Sequence, residues 1–189
     1  GEKPEVAQAI FEQYMPRFSG DILPKESIGR ALSLADKLDN LSATFLRGLI
    51  PTGSQDPFAL RRQTIGAVNI LTDGKIHWDI RRGIAKALEL LPGEQEVKDK
   101  VLSQVEDFFR QRIRAILLDN GIAYDIIDAV LAGPVDDIYA IFLKAQAMTE
   151  SHLKEEADLR QAVTRLANIT KGKTGGKVDP ALFEEDAEK

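Results

Sequence analysis

The stretch SIGRALSLADKLDNLSATFL, residues 27–46, decides the fold class. Ile28, Ala31, Leu32, Ala35, Leu38, Leu41 and Phe45 recur at the three- and four-residue spacing of one helix face, which predicts a helix that buries this stripe. Asp36, Lys37, Asp39 and Asn40 fall off the stripe and are expected in solvent. Upstream, Val6, Ala9 and Ile10 give a short helical pattern from Glu5 to Tyr14 that Pro16 ends, and residues 15–24 read as a loop. Downstream, GLIPTGSQD (48–56) breaks the pattern, and Asp56-Pro57 predicts the N-cap and first turn of a helix running through PFALRRQTIGAVNILTDG to a stop at Gly74. HWDIRRGIAKALELL predicts the next helix, ended by Pro92-Gly93. In EQEVKDKVLSQVEDFFRQRIRAILLDNG, Val97, Val101, Val105, Phe108, Ile113, Ile116 and Leu117 keep largely to one side. Its acids come early and its arginines late, as the helix dipole favours, and Asn120-Gly121 provides the stop. Helical patterns continue in YDIIDAVLA, DDIYAIFLKAQAM and LKEEADLRQAVTRLANIT. No internal repeat and no alternating strand pattern of useful length interrupts them. The expected class is all-α.

Composition narrows the chemistry. The 189 residues are 43% hydrophobic, enough to bury a core, and 29% charged. The absence of cysteine excludes disulfides, thiolate zinc sites, iron–sulfur clusters and cysteine nucleophiles. Two histidines, His77 and His152, are too few for a multi-histidine metal centre. No apolar run approaches the roughly 18–20 residues of a membrane span, and GEKPEVAQ does not resemble a signal peptide. A soluble, cytoplasmic chain with no membrane partner is the expectation. The net charge of −5 is unevenly spread: residues 1–91 carry +1, and residues 92–189 carry −6. Within the acidic half, Arg160, Arg165, Lys171, Lys173 and Lys177 form a strip with no acid between them. Such a strip can contact phosphate despite the overall charge, because salt screens distant charges over about 10 Å. VDPALFEEDAEK stops within what reads as a new helix, so an excised piece of a longer protein is expected.

Each motif has two readings. PTGSQDPFALRR places Gly and Ser before a helix start, where backbone N–H groups can hold a phosphate, but it lacks the ending of a Walker loop. A tight capped turn, with Arg61 and Arg62 on the helix surface, is the structural alternative. Asp36 and Asp39 share a helix face at three-residue spacing, the arrangement of a metal-binding or acid–base pair and equally of ordinary solvated acids. His77 and His152 read as helix-start surface histidines. Arg160 to Lys177 read either as a phosphate-backbone contact or as a solvated helix end.

ALSLADKLDNL, a spacer, and PTGSQDPFALRR together resemble the signature of the β-subunit family of bacterial glycyl-tRNA synthetases. EQYMPRFSGDILP, YDIIDAVLAG, DLRQAVTRLANITK and VDPALFEE resemble the family's neighbouring stretches, so the resemblance runs end to end over a late portion of a longer subunit. It implies two small helical bundles: residues 1–91 as the late part of an HD-like domain, and 92–189 as the first helices of an anticodon-binding domain. It places Asp36 at the last metal-ligand position of HD phosphohydrolases, with the other ligands falling before Gly1. Asp36 is therefore a relic position, and neither a metal nor a catalytic residue is expected. Asp36, Asp39, Gly53, Asp56, Arg61 and Arg62 carry the signature. The resemblance further implies tRNA contact by Arg160, Arg165, Lys171 and Lys173; Arg61 and Arg62, with the Gly53–Ser54 turn, are a second candidate, for contact with tRNA or with the partner subunit. The family's complete enzyme joins glycine to its tRNA. Its α subunit is expected to supply the chemistry with ATP and magnesium, in an α2β2 assembly. The competing expectation is a metal-dependent HD-type phosphohydrolase built on Asp36.

Overall fold

The computed structural model describes residues 1–53 and 55–150, and the described residues are helical without a sheet. Seven helices follow one another among them: α1 (Pro4–Glu12), α2 (Ser27–Leu46), α3 (Leu60–Asp73), α4 (Ile80–Leu90), α5 (Gln95–Asp119), α6 (Tyr124–Leu131) and α7 (Ile138–Glu150). The helical pattern expected within residues 153–170 lies outside the described residues.

One buried cluster unites α2 to α7. Leu38, Leu41 and Phe45 of α2 meet Val68 and Leu71 of α3, Ile84 and Leu88 of α4, and Val105, Phe108 and Phe109 of α5. The rings of Phe45 and Phe108 cross edge to face with centroids 5.3 Å apart, a favoured aromatic geometry. Pro92-Gly93 forms the turn between α4 and α5, and both helices contribute side chains to this same cluster. Glu106 of α5 ties the far end together: its carboxylate accepts from Arg110 at 3.1 Å and from the Val135 amide at 3.2 Å, and lies 3.7 Å from Arg81 of α4.

Helix α2 departs from its expected stripe at one end. Leu38, Leu41 and Phe45 are buried as the spacing requires, whereas Ile28 is 55% exposed and Ser33, Leu34 and Lys37 are buried. The physical reason is α1, which packs across the first half of α2 and buries a different face there. Val6 and Ile10 of α1 are correspondingly exposed, and Ala9 and Glu12 face inward. Glu12 accepts from Gln8 at 2.9 Å and from the amides of Lys25 and Glu26, each at 3.2 Å, just before α2 begins. It thereby answers amide donors at the helix start that lack intrahelical partners. Burial pushes the Glu12 carboxyl up, but these hydrogen bonds and the charge of Arg30 outweigh it, leaving the group below the ordinary glutamate value of 4.5. Gly29 makes room for it, since a Cβ there would stand 1.9 Å from Glu12 Oε2.

Lys37, expected in solvent, is 3% exposed. Its Nζ donates to the Met15 carbonyl at 2.8 Å and to Ser33 Oγ at 2.7 Å, while Ser33 Oγ donates to the same carbonyl at 2.6 Å. Burial pushes the ammonium down to about 8, with Asp36 opposing.

Two tests follow from this clasp. Gly29→Ala should destabilise the protein by about 1–3 kcal/mol in urea unfolding, although alanine is the better helix former. Combining it with Glu12→Ala should give a loss smaller than the sum of the two single changes. The folded Lys37 binds its proton less tightly than the unfolded one, so wild-type stability should rise as pH climbs from about 8 towards the ordinary lysine value of 10.5. Lys37→Met should remove that rise, as read by the urea midpoint against pH.

Candidate functional site

The segment from Pro51 to Gln63 builds the site from its own hydrogen bonds. The Gln55 amide donates to the Thr52 carbonyl at 2.9 Å, closing a turn in which Gly53 sits at φ +51°, a conformation glycine adopts without strain. Asp56 does cap α3, but from farther out than an N-cap position. Its two carboxylate oxygens accept from the amides of Leu60 at 2.8 Å and Arg61 at 2.9 Å. The helix begins at Leu60 rather than at Pro57, because residues 56–59 form a separate turn that leaves Ala59 left-handed at φ 53°. A non-glycine residue there costs of order 1 kcal/mol, and the paired bonds to Asp56 hold it in place.

This turn aims the two signature arginines. Arg61 Nη2 donates to the Gly53 carbonyl at 2.7 Å, and Arg62 Nη1 donates to the Arg17 carbonyl at 3.2 Å. Both therefore have structural bonds, yet among the described residues neither guanidinium pairs with a carboxylate within 4.0 Å. They line a cleft of about 730 Å³ between residues 16–23 and α3, together with Phe18, Asp21, Asp56, Asn69 and Asp73. Two of its acids have cation partners. Asp21 is gripped by Arg17 at 2.8 and 3.1 Å, and Asp73 lies 3.7 Å from Arg30. Arg17, through side chain and amide, holds the Asp21 carboxyl well below the usual carboxylate range despite the opposing effect of burial. Arg61 and Arg62 supply positive charge that the cleft does not neutralise by ion pairing.

A third arginine joins them. Of the arginines late in α5, Arg110 is bound to Glu106 and Asp107, and Arg114 to Asp128 at 2.6 Å. Arg112 has no such partner among the described residues; its guanidinium lies 4.7 Å over the Phe108 ring. Burial pushes Arg112 below the ordinary arginine value, Arg61 pushes it further, and Asp56 opposes. Two like charges are thus held near one another beside a carboxylate already occupied by amides. Sequence reasoning took the arginines of α5 as dipole partners and missed Arg112. Acid pairing gives a partial signal: Arg110 has acids three and four residues before it on the same face, Arg112 and Arg114 have none, and only the fold brings Asp128 to Arg114.

Asp36 and Asp39 do not line this cleft. Asp36 accepts from Gln13 at 3.1 Å and Asn40 at 3.4 Å, so each carboxylate oxygen faces an amide donor, and Asp39 is exposed. That donor pattern suits a hydrogen-bonded surface acid rather than a metal ligand, and no group of three His, Asp or Glu side chains suited to a metal occurs among the described residues. Arg160, Arg165, Lys171 and Lys173 lie outside the described residues. His77 has a definite role: its Nδ1 stands 2.8 Å from Asp137, which caps α7 through the Ala140 amide at 2.9 Å. A second cleft of about 780 Å³ lies beside it, lined by Trp78, Arg82, Lys86 and Lys98. Lys86 is paired with Glu89 at 2.6 Å, and Asp36, Asp39, Gly53, Asp56, Arg61 and Arg62 are not among the residues that line this cleft. No helix among the described residues is long and apolar enough to cross a membrane.

Comparison with known proteins places this arrangement in a family. The family model described as "Glycyl-tRNA synthetase beta subunit" matches residues 1–132. The glycine–tRNA ligase beta subunit of Clostridioides difficile (strain 630) is 41% identical over 189 residues, covering 100% of this chain and 28% of that protein. That of Desulforamulus reducens is 42% identical over 192 residues, and that of Shouchella clausii (strain KSM-K16) 40% over 193, with the same coverages. The chain therefore spans about 28% of the length of these relatives. On both the model match and the full-chain identity, the chain belongs to the glycyl-tRNA synthetase beta subunit family.

Proposed function

We propose that this chain is the part of a glycine–tRNA ligase β subunit that holds tRNA for a partner subunit performing the synthesis. The observation that carries the reading is the positive charge of Arg61 and Arg62, at the start of the helix that follows the signature turn, with Arg112 of α5 close enough to feel Arg61; none of the three has a carboxylate partner within 4.0 Å among the described residues. Phosphodiesters supply the missing negative charge, and arginine forks suit their oxygens. Such contacts set register and affinity, while sequence is read on unpaired bases. Arg160, Arg165, Lys171 and Lys173 extend the same role to the anticodon side. The division into an HD-like part (1–91) and the start of an anticodon-binding part (92–189) belongs to this proposal; the packing of α5 on α2 and α4 gives the two parts a shared core. ATP and magnesium would serve the α subunit, in a cytoplasmic α2β2 assembly.

Arg160→Glu with Arg165→Glu in the complete β subunit should weaken tRNA binding, with the difference from wild type shrinking at high salt. Neutralising Arg61 and Arg112 to Gln should lower the slope of log affinity against log salt by about 1–2. Unchanged affinity at low salt in both double variants would reject the reading.

A further inference from the structure

The cleft between residues 16–23 and α3 carries an aromatic feature as well as charge. Phe18 lines it while remaining 56% exposed, although a phenylalanine left in water gains nothing from hydrophobic burial. The ring is not on a loose tether. Asp21 takes the Arg17 amide at 2.8 Å as well as its guanidinium, the Asp21 amide donates back to the Phe18 carbonyl at 3.2 Å, and Arg62 fastens the Arg17 carbonyl to α3. The Arg17 guanidinium rests 5.7 Å over the Phe18 ring. Across the cleft, α3 presents Ile65, 38% exposed, and the amide of Asn69. Arg61 and Arg62 stand at the same wall.

We propose that this cleft binds one unpaired nucleotide of an RNA, its base stacked on Phe18 and its phosphates met by Arg61 and Arg62. The inference rests on the RNA-binding reading above and names the form of RNA the site takes. A volume of about 730 Å³ falls in the range of small-ligand sites. Aromatic stacking accepts any base, because every base has a π face, and Asn69 offers both a donor and an acceptor to a base edge. An apolar peptide segment would cover Phe18 and Ile65 but give the two arginines no carboxylate or phosphate partner. Asp56 is the one lining acid that lacks a cation partner among the described residues, so the wall keeps a net positive charge, which favours the polyanion.

The test uses the complete β subunit assembled with its partner subunit, and tRNA as the probe. Phe18→Ala should weaken binding roughly tenfold without altering the salt slope, since stacking involves no counterion. Phe18→Tyr should restore affinity to near wild type. Arg62→Gln should weaken binding and flatten the salt slope by about one. A single-stranded oligoribonucleotide should compete for the site in wild type and lose that ability in Phe18→Ala, whereas a blunt RNA duplex should compete poorly in both. Normal tRNA affinity in Phe18→Ala alongside a weakened Arg62→Gln would overturn the nucleotide site and leave the RNA-binding reading standing. Failure of the wild-type complex to bind tRNA would overturn both. Loss of subunit assembly rather than tRNA affinity in Phe18→Ala would assign the ring to a protein contact and overturn the site.

Discussion

The seating of α2, polar against α1 and apolar against α3, α4 and α5, is the constraint on which the other elements depend. Its 20 residues span about 30 Å and pack against α1, α3, α4 and α5. The second half packs apolar side chains into the common core. The first half meets α1 and the chain around Met15, and there the contacts are polar: Glu12 at the helix start, Ser33 and Lys37 on one carbonyl. Apolar packing tolerates sliding more readily than directional bonds do, so the polar clasp sets where the N-terminal segment lies. Placement of Arg17 and Phe18 follows, because they come two and three residues after Met15, whose carbonyl Lys37 holds.

The site inherits its geometry from that placement and from one cap. Asp56 fixes the start of α3 and with it the directions in which Arg61 and Arg62 leave the helix. Arg62 then joins α3 to the segment clasped by α2, so the two walls of the cleft are tied across it. Electrostatics completes the arrangement. Asp21 and Asp73 have arginine partners, Asp56 is occupied by amides, and three arginines remain without carboxylates among the described residues. Positive charge held in place and left unbalanced is poor design for stability but useful for meeting a polyanion.

Much of this was legible in the chain itself. The 3-4 spacing in residues 27–46 and 95–119 gave helices with the observed extents, because long periodic segments carry the signal many times over. Short elements were less transparent: α1 buries Ala9 and Glu12 in place of Val6 and Ile10, since its orientation is decided by α2 and not by its own apolar content. Lys37 was misplaced for a related reason. Lysine is seldom fully buried, and only the three-dimensional position of Met15 supplies the carbonyl that makes burial tolerable. Asp56 was recognised as a cap, but the left-handed turn at Ala59 follows from no composition rule, alanine being an uncommon residue there. The signature arginines were picked out by resemblance, whereas Arg112 and Phe18 emerged only when pairing and exposure were visible.

This helical piece of a β-subunit family member has a clasped N-terminal segment, a capped helix, and between them a cationic cleft with one aromatic wall, and placement of tRNA is the contribution proposed for it. The proposed role requires that tRNA occupy that cleft. Hydrogen–deuterium exchange of the intact heteromeric enzyme, with and without cognate tRNA, tests this most directly. Slowed exchange at residues 17–21 and at the start of α3 on tRNA addition is the predicted result. Unchanged exchange there, with protection confined to the face around His77 and Trp78, would contradict it.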